Sequence, residues 1–113
     1  MPRDYRLYLE DIQAAVRNIQ LYIQGASFDE FAGDRMRVDA VLHYLELIGE
    51  AARHIPEDLR VKYPEVEWRK IAGLRDVIVH KYFGLSPEIV WDILENKLPG
   101  LLVVVERMLE EER

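Results

Sequence analysis

The chain contains no cysteine. Disulfide frameworks, Cys-based zinc sites and thiol nucleophiles are therefore excluded. Long apolar runs are missing too. The longest is Leu101-Leu102-Val103-Val104-Val105, far short of the roughly 20 residues that span a bilayer. The opening Met1-Pro2-Arg3-Asp4 leads into no apolar stretch of the kind that marks a secretory signal. The expectation is no membrane association and a cytoplasmic location. Positive charge is in short supply: 15 Lys and Arg stand against 21 Asp and Glu, a net charge of -6. Taken as a whole-chain figure, that disfavours nucleic-acid binding, because Lys and Arg supply phosphate contacts. Strand-like alternation, internal repeats and low-complexity segments are absent as well.

What is present is helical periodicity. With 113 residues, half of them apolar, a single domain over 1–113 with one core is expected. From Asp4 to Gln24 one apolar row runs Tyr5, Tyr8, Ile12, Ala15, Ile19, Tyr22, and a second runs Leu9, Ile12, Val16, Ile19, Ile23. Gly25 is a stop signal, and 27–33 reads as a connector with room for one short turn around Phe28 and Phe31. Asp34 can cap a second helix reaching His54, with rows Val38, Leu42, Leu45 and Val41, Tyr44, Ile48, Ala51.

Pro56 to Pro64 encloses a short helical turn. A third helix is predicted from about 67 to 80 or slightly beyond, carrying Trp68, Ile71, Ala72, Leu74, Ile78 and Val79. Ser86-Pro87-Glu88 reads as an N-cap with proline at the first helical position. The last helix carries Ile89, Val90, Ile93, Leu94 and Leu98 and runs to Leu109, with Pro99-Gly100 expected to kink or split it. The acidic tail 110–112 is expected to fray into solvent. The fold class is therefore all-α: a four- to five-helix antiparallel bundle with short connections.

The chemistry-bearing residues crowd one stretch. Arg75, Asp76, His80 and Tyr82 place a permanent cation, a carboxylate, an imidazole and a phenol within eight residues. At about 100° per residue, Asp76 and His80 are neighbours one turn apart, on a polar strip with Arg69 and Gly73. Asp76 is expected to fix the tautomer of His80. Arg75 is about 140° round from His80, toward the apolar side, so its head must snorkel back or meet a second subunit. Gly73, mid-helix, calls for a close helix–helix approach to justify its cost of about 1 kcal/mol against Ala. His43 and His54 read as ordinary polar positions of the second helix.

An Arg and a His so placed suit phosphodiester cleavage in RNA. Arg would bind the phosphate and stabilise charge as it builds. His would move the proton of the 2′-hydroxyl or of the leaving group. No metal ligand spacing and no cofactor motif appears, so neither metal nor cofactor is expected. The spacing alone leaves a second reading open: a polar helix end in which His80 caps carbonyls and Arg75 pairs with a carboxylate.

Arg75-x4-His80-x-Tyr82 resembles the RX4HXY motif of the HepT branch of the HEPN ribonucleases. The resemblance extends over nearly the whole chain, through Arg3-Asp4-x4-Tyr8-Leu9-x-Asp11-Ile12, Leu47-Ile48-Gly49-Glu50-Ala51-Ala52 and Trp68-Arg69-Lys70-Ile71-Ala72-Gly73-Leu74-Arg75. It implies a HEPN-like helical homodimer with its motifs gathered in a cleft between subunits. It further implies the toxin of a type VII toxin–antitoxin pair, cleaving RNA without a metal. The partner implied is an MntA-like nucleotidyltransferase antitoxin that silences the toxin by AMP transfer to the motif tyrosine. Carried over, Arg75 and His80 are catalytic, Asp76 supports them, and Tyr82 is the AMPylation site. Arg69, Lys70 and Lys81 are candidate RNA-phosphate contacts. The alternative is a non-catalytic helical dimer that binds nucleotide and docks the nucleotidyltransferase.

Counted by segment, the charge agrees better with RNA. Residues 60–84 hold six basic and three acidic side chains, so they sum to +3 and the remainder to -9. A dimer is expected to bring two such segments together in one cleft.

Overall fold

The computed structural model describes residues 3–81 and 84–112, and for Lys81 the backbone alone. Among the described residues there are seven helices and no strand: α1 (Tyr5–Ile23), α2 (Phe28–Ala32), α3 (Arg35–Arg53), α4 (Glu57–Lys62), α5 (Trp68–Lys81), α6 (Pro87–Asn96) and α7 (Leu98–Glu111). Five have ten residues or more, and α2 and α4 are the short turns anticipated on either side of α3. None of these helices is long and apolar enough to cross a membrane.

The boundaries follow local chemistry. Asp4 accepts from the Arg6 N–H at 2.9 Å and opens α1. Gly25, at φ +74°, turns the chain out of it. Ser27 and Glu30 form a reciprocal capping box on α2. Asp34 accepts from the Arg37 N–H at 3.1 Å and opens α3. At the far end of α3 the Arg60 guanidinium donates to the carbonyls of Ala52 (2.7 Å) and Ile55 (3.0 Å), satisfying groups the helix leaves open. Ser86 precedes α6 with extended backbone but makes no side-chain cap bond; its hydroxyl donates to Glu88 instead. The expected break near Pro99 falls at Lys97. Proline has no N–H and crowds the preceding turn, so it settles into the first turn of a new helix.

Contacts between helices define the directions. Tyr8 meets His54 while Tyr22 meets Tyr44, so α1 and α3 run antiparallel. Arg6 meets Glu112 while Gln13 meets Glu106, so α1 and α7 do too. The core is continuous, from Leu9, Ile12, Val16 and Ile19 on α1 through Val41, Leu45 and Ile48 on α3 to Ile71 and Ile78 on α5 and Leu101, Val105 and Met108 on α7. The second apolar row of α1 is the buried one, joined by Ala15, and the tyrosines of the first row sit at the edge or outside. Val79 and Ile89, apolar positions of the predicted helices, are 45% and 58% exposed.

The acidic tail does not fray. Helix α7 continues to Glu111. The Glu112 carboxylate accepts from the Tyr63 hydroxyl at 2.7 Å and from Lys62 at 2.6 Å. Its backbone carbonyl accepts from Tyr5 at 3.1 Å and Arg6 at 2.9 Å. Burial, and then the Glu112 and Glu111 carboxylates that accept from its hydroxyl, push the Tyr63 phenol far above its ordinary pKa.

Candidate active site on helix α5

Helix α5 lies against α3, with its backbone close to Gly49. A Cβ there would come within 2.5 Å of the Arg75 backbone nitrogen and 3.2 Å of the Ile71 carbonyl. The small residue that permits the close approach is therefore Gly49 on α3. Gly73 is not that residue, since a Cβ added to it would meet nothing within 4 Å. Packing backbone against a glycine sets Arg75 directly beside the next residue of α3, Glu50.

Arg75 keeps its guanidinium at the rim of this seam, with the side chain 39% exposed. Its Nε stands 4.0 Å from Glu50 Oε2 and its NH1 donates to Asp76 Oδ1 at 3.2 Å. The snorkelling expected of an Arg on the apolar side is thus what occurs, toward a carboxylate of the same chain. Glu50 is shared: His54 Nε2 approaches its Oε1 at 3.4 Å and Arg53 its Oε2 at 3.4 Å.

Asp76 and His80 are exposed on the outer side of α5. The Asp76 carboxylate turns to Arg75, and among the described residues no hydrogen bond joins it to His80. One helical turn of spacing brings two side chains within reach, but the guanidinium next door is the stronger partner for a carboxylate. Val77 and Val79 flank the strip and are 42% and 45% exposed, which makes the outer face of α5 half apolar. Tyr82 and the side chain of Lys81 lie outside the described residues.

The basic residues of 60–84 do not gather at the motif. Arg60 is committed to the end of α3, Lys62 to Glu112, and Lys70 to Glu67 at 2.9 Å. Arg69 is exposed, and among the described residues it makes no ion pair. Among the described residues, carboxylates from outside the segment reach Lys62, through Glu112, and Arg75, through Glu50.

A cavity of about 620 Å³ lies between α5, α6 and α7, lined by Ile71, Leu74, Ile93, Leu101 and Val104 with Lys70 and Lys97 at its mouth. None of Arg75, Asp76 and His80 lines it. Among the described residues, Asp76 and His80 lie exposed on α5 with Arg75 at its rim. Among the described residues, no three His, Asp or Glu side chains gather closely enough to hold a metal ion.

A chain whose described residues form only helices, with Arg75, Asp76 and His80 along one of them, matches a known family. The model of the HepT-like ribonucleases matches residues 12–108, and the chain belongs to that family. A Methanocaldococcus jannaschii protein named as an RNase is 41% identical over 98% of this chain and 93% of its own length. A Thermococcus cleftensis protein bearing the name ribonuclease HepT is 35% identical over 96% of this chain and 98% of its own. A Caldanaerobacter subterraneus protein, also named as an RNase, is 35% identical over 96% of both. No solved structure matches at a significant level.

Proposed function

We propose that this chain is a metal-independent endoribonuclease, the toxin of an HepT/MntA-like pair, and that it works as a homodimer in the cytoplasm. The observation that carries the reading is the placement of Arg75 and His80 on one exposed helix, in the order and spacing of the family motif. Arg75 binds the scissile phosphate and stabilises the charge that develops on it. The 2′-oxygen attacks phosphorus, its proton passes to an imidazole, and the 5′-oxygen leaves with a proton from an acid.

Two features support the dimer. Arg75 and His80 are about 140° apart around α5, so one chain does not aim both at one phosphate. The outer face of α5 also carries exposed Val77 and Val79, which a second copy would bury. Two chains sharing a cleft supply two guanidiniums and two imidazoles, one imidazole as base and the other as acid. AMP transferred to Tyr82 by an MntA-like nucleotidyltransferase would place a phosphate in competition with RNA for Arg75.

One observation favours the non-catalytic alternative: the Arg75 guanidinium already has Glu50 and Asp76 as neighbours. The two readings part in one experiment. Chain purified free of partner is given a fluorescent RNA in the presence of a chelator. Cleavage is expected, falling about 10²–10⁴-fold in His80→Ala, the usual worth of a general acid or base. Cleavage by Arg75→Ala and His80→Ala at the wild-type rate would rule the assignment out. An intact-mass gain of AMP units with nucleotidyltransferase and ATP, lost in Tyr82→Phe, tests the silencing step.

A further inference from the structure

His54 looks like an ordinary polar position in the sequence, but the fold gives it a defined setting. Its ring lies flat on Tyr8, centroids 4.4 Å apart and planes 9° from parallel. Glu50 Oε1, 3.4 Å from Nε2, holds the ring edge. The His54 backbone N–H closes α3 by donating to Ala51 and Ala52. The side chain nevertheless stays 46% exposed. The ring is thus stacked on one side and lines an open cavity.

Two cavities flank the stacked pair. One of about 570 Å³ is lined by Arg3, Asp4, Tyr5, Tyr8, His54 and Pro56. The other, about 470 Å³, runs between α1 and α3 and includes Arg3, Tyr8, Tyr44, Leu47 and Glu50. They share Arg3, whose guanidinium sits 4.7 Å from the Tyr8 centroid, and Tyr8 itself. Glu50 stands beside both His54 and the motif Arg75. An aromatic surface, oriented and open, therefore adjoins the residue assigned to the scissile phosphate.

We infer that the Tyr8–His54 stack is a nucleobase-binding platform, taking a base of single-stranded RNA next to the phosphate held by Arg75. The location of that phosphate rests on the ribonuclease reading above. The physical case is preorganisation. The His54 ring is already oriented by Tyr8 and Glu50, so a base stacking on it costs little further ordering. Arg3 and Arg53 nearby are balanced by Asp11 and Glu50, so the grip comes from stacking and not from net charge. Stacking of this kind tolerates any base, since every base has a π-face.

The test uses the full chain carrying His80→Ala, so that binding is read without turnover, and a single-stranded RNA containing 2-aminopurine. Binding should quench the fluorophore. Adding His54→Ala should abolish the quench and weaken binding about five-fold or more, the low end for an aromatic–base stack. His54→Phe, which keeps a flat ring, should restore both. The His54 contribution should persist as salt is raised, whereas binding through Arg75 should not. In the cleaving chain His54→Ala should raise KM and leave kcat within about two-fold. A His54→Ala chain that quenches and binds as before overturns the platform, as does failure of His54→Phe to rescue. His54-dependent binding of free AMP without any such dependence for RNA overturns the RNA assignment. If wild-type chain does not cleave RNA but the His54-dependent quench stands, the ribonuclease reading fails and the platform survives.

Discussion

The seam between α1 and α7 and the seam between α3 and α5 are held in different ways. At the first, polar groups do much of the fastening. Arg6 donates to the Leu109 and Glu112 carbonyls at 3.0 and 2.9 Å, and Gln13 and Arg17 both reach Glu106. Arg107 and Glu65 tie the middle of α7 to the chain before α5. At the second, two backbones meet at Gly49, and among the described residues one ion pair, at 4.0 Å, spans the rim. Of the motif residues described on α5, only Arg75 takes part in its seam. Helix α5, held chiefly by apolar contact and one glycine, keeps Asp76 and His80 outside. That contrast is why the structural polar residues lie on α7 and the candidate catalytic ones on α5.

The contrast breaks most visibly at Gly49. Gly49→Ala puts a methyl within 2.5 Å of backbone, so the helices must part. A loss of about 3 kcal/mol is expected, at the upper end for overpacking. At about 4 °C per kcal/mol for a chain of this size, thermal melting should show it as a drop of roughly 12 °C. RNA cleavage should fall too, because Arg75 moves with its backbone. A melting temperature unchanged in Gly49→Ala would mean that the seam is looser than described.

A smaller effect of opposite sign tests the other glycine. Gly73→Ala enters open space in the middle of α5 and should stabilise the fold by about 1 kcal/mol through helix propensity alone. Denaturant unfolding measures it. A loss of stability instead would show that something packs on Gly73 in solution.

Acid should separate the two seams with the smallest effect. Glu106 is held below its ordinary value of 4.5 first by Gln13, then by Arg17, and Glu112 first by Lys62, then by Tyr63. Their folded pKa values lie below the unfolded ones, so their stabilisation is present above about 4.5 and is lost as pH falls through the lowered values. Amide exchange at α7 and the first turns of α1 should therefore rise below that pH before exchange at α3. Equal loosening of both seams would contradict the polar fastening assigned to α7.

Much of this was legible from the chain. The helix ends at Asp4, Gly25, Asp34 and Pro56 are local events, set by capping, a positive φ and proline, and all fall within a residue or so of expectation. The motif on α5 is local too, since four residues per turn is enough to place Asp76 and His80 side by side. The readings that the fold revised have two causes. Gly73 looked like the close-contact glycine, Asp76 like the partner of His80, and the tail like a frayed end. Two of these turned on a neighbour distant in sequence, Gly49 against Arg75 and Tyr63 and Lys62 holding Glu112, whereas Asp76 turned to Arg75 beside it. Glu50 itself carried no signal beyond its place in Leu47-Ile48-Gly49-Glu50. His54 gave none at all, because its stacking partner is 46 positions away.

Composition and periodicity by themselves determine that this chain is helical, where its helices start and stop, and that one of them bears Arg75, Asp76 and His80. These are consequences of backbone hydrogen bonding and side-chain spacing within a few residues. Which glycine lets helices touch, which carboxylate meets Arg75, which charges remain open to solvent, and that Tyr8 and His54 form one stacked surface are decided only when the helices pack. Packing pairs residues by space, and no local rule carries that information.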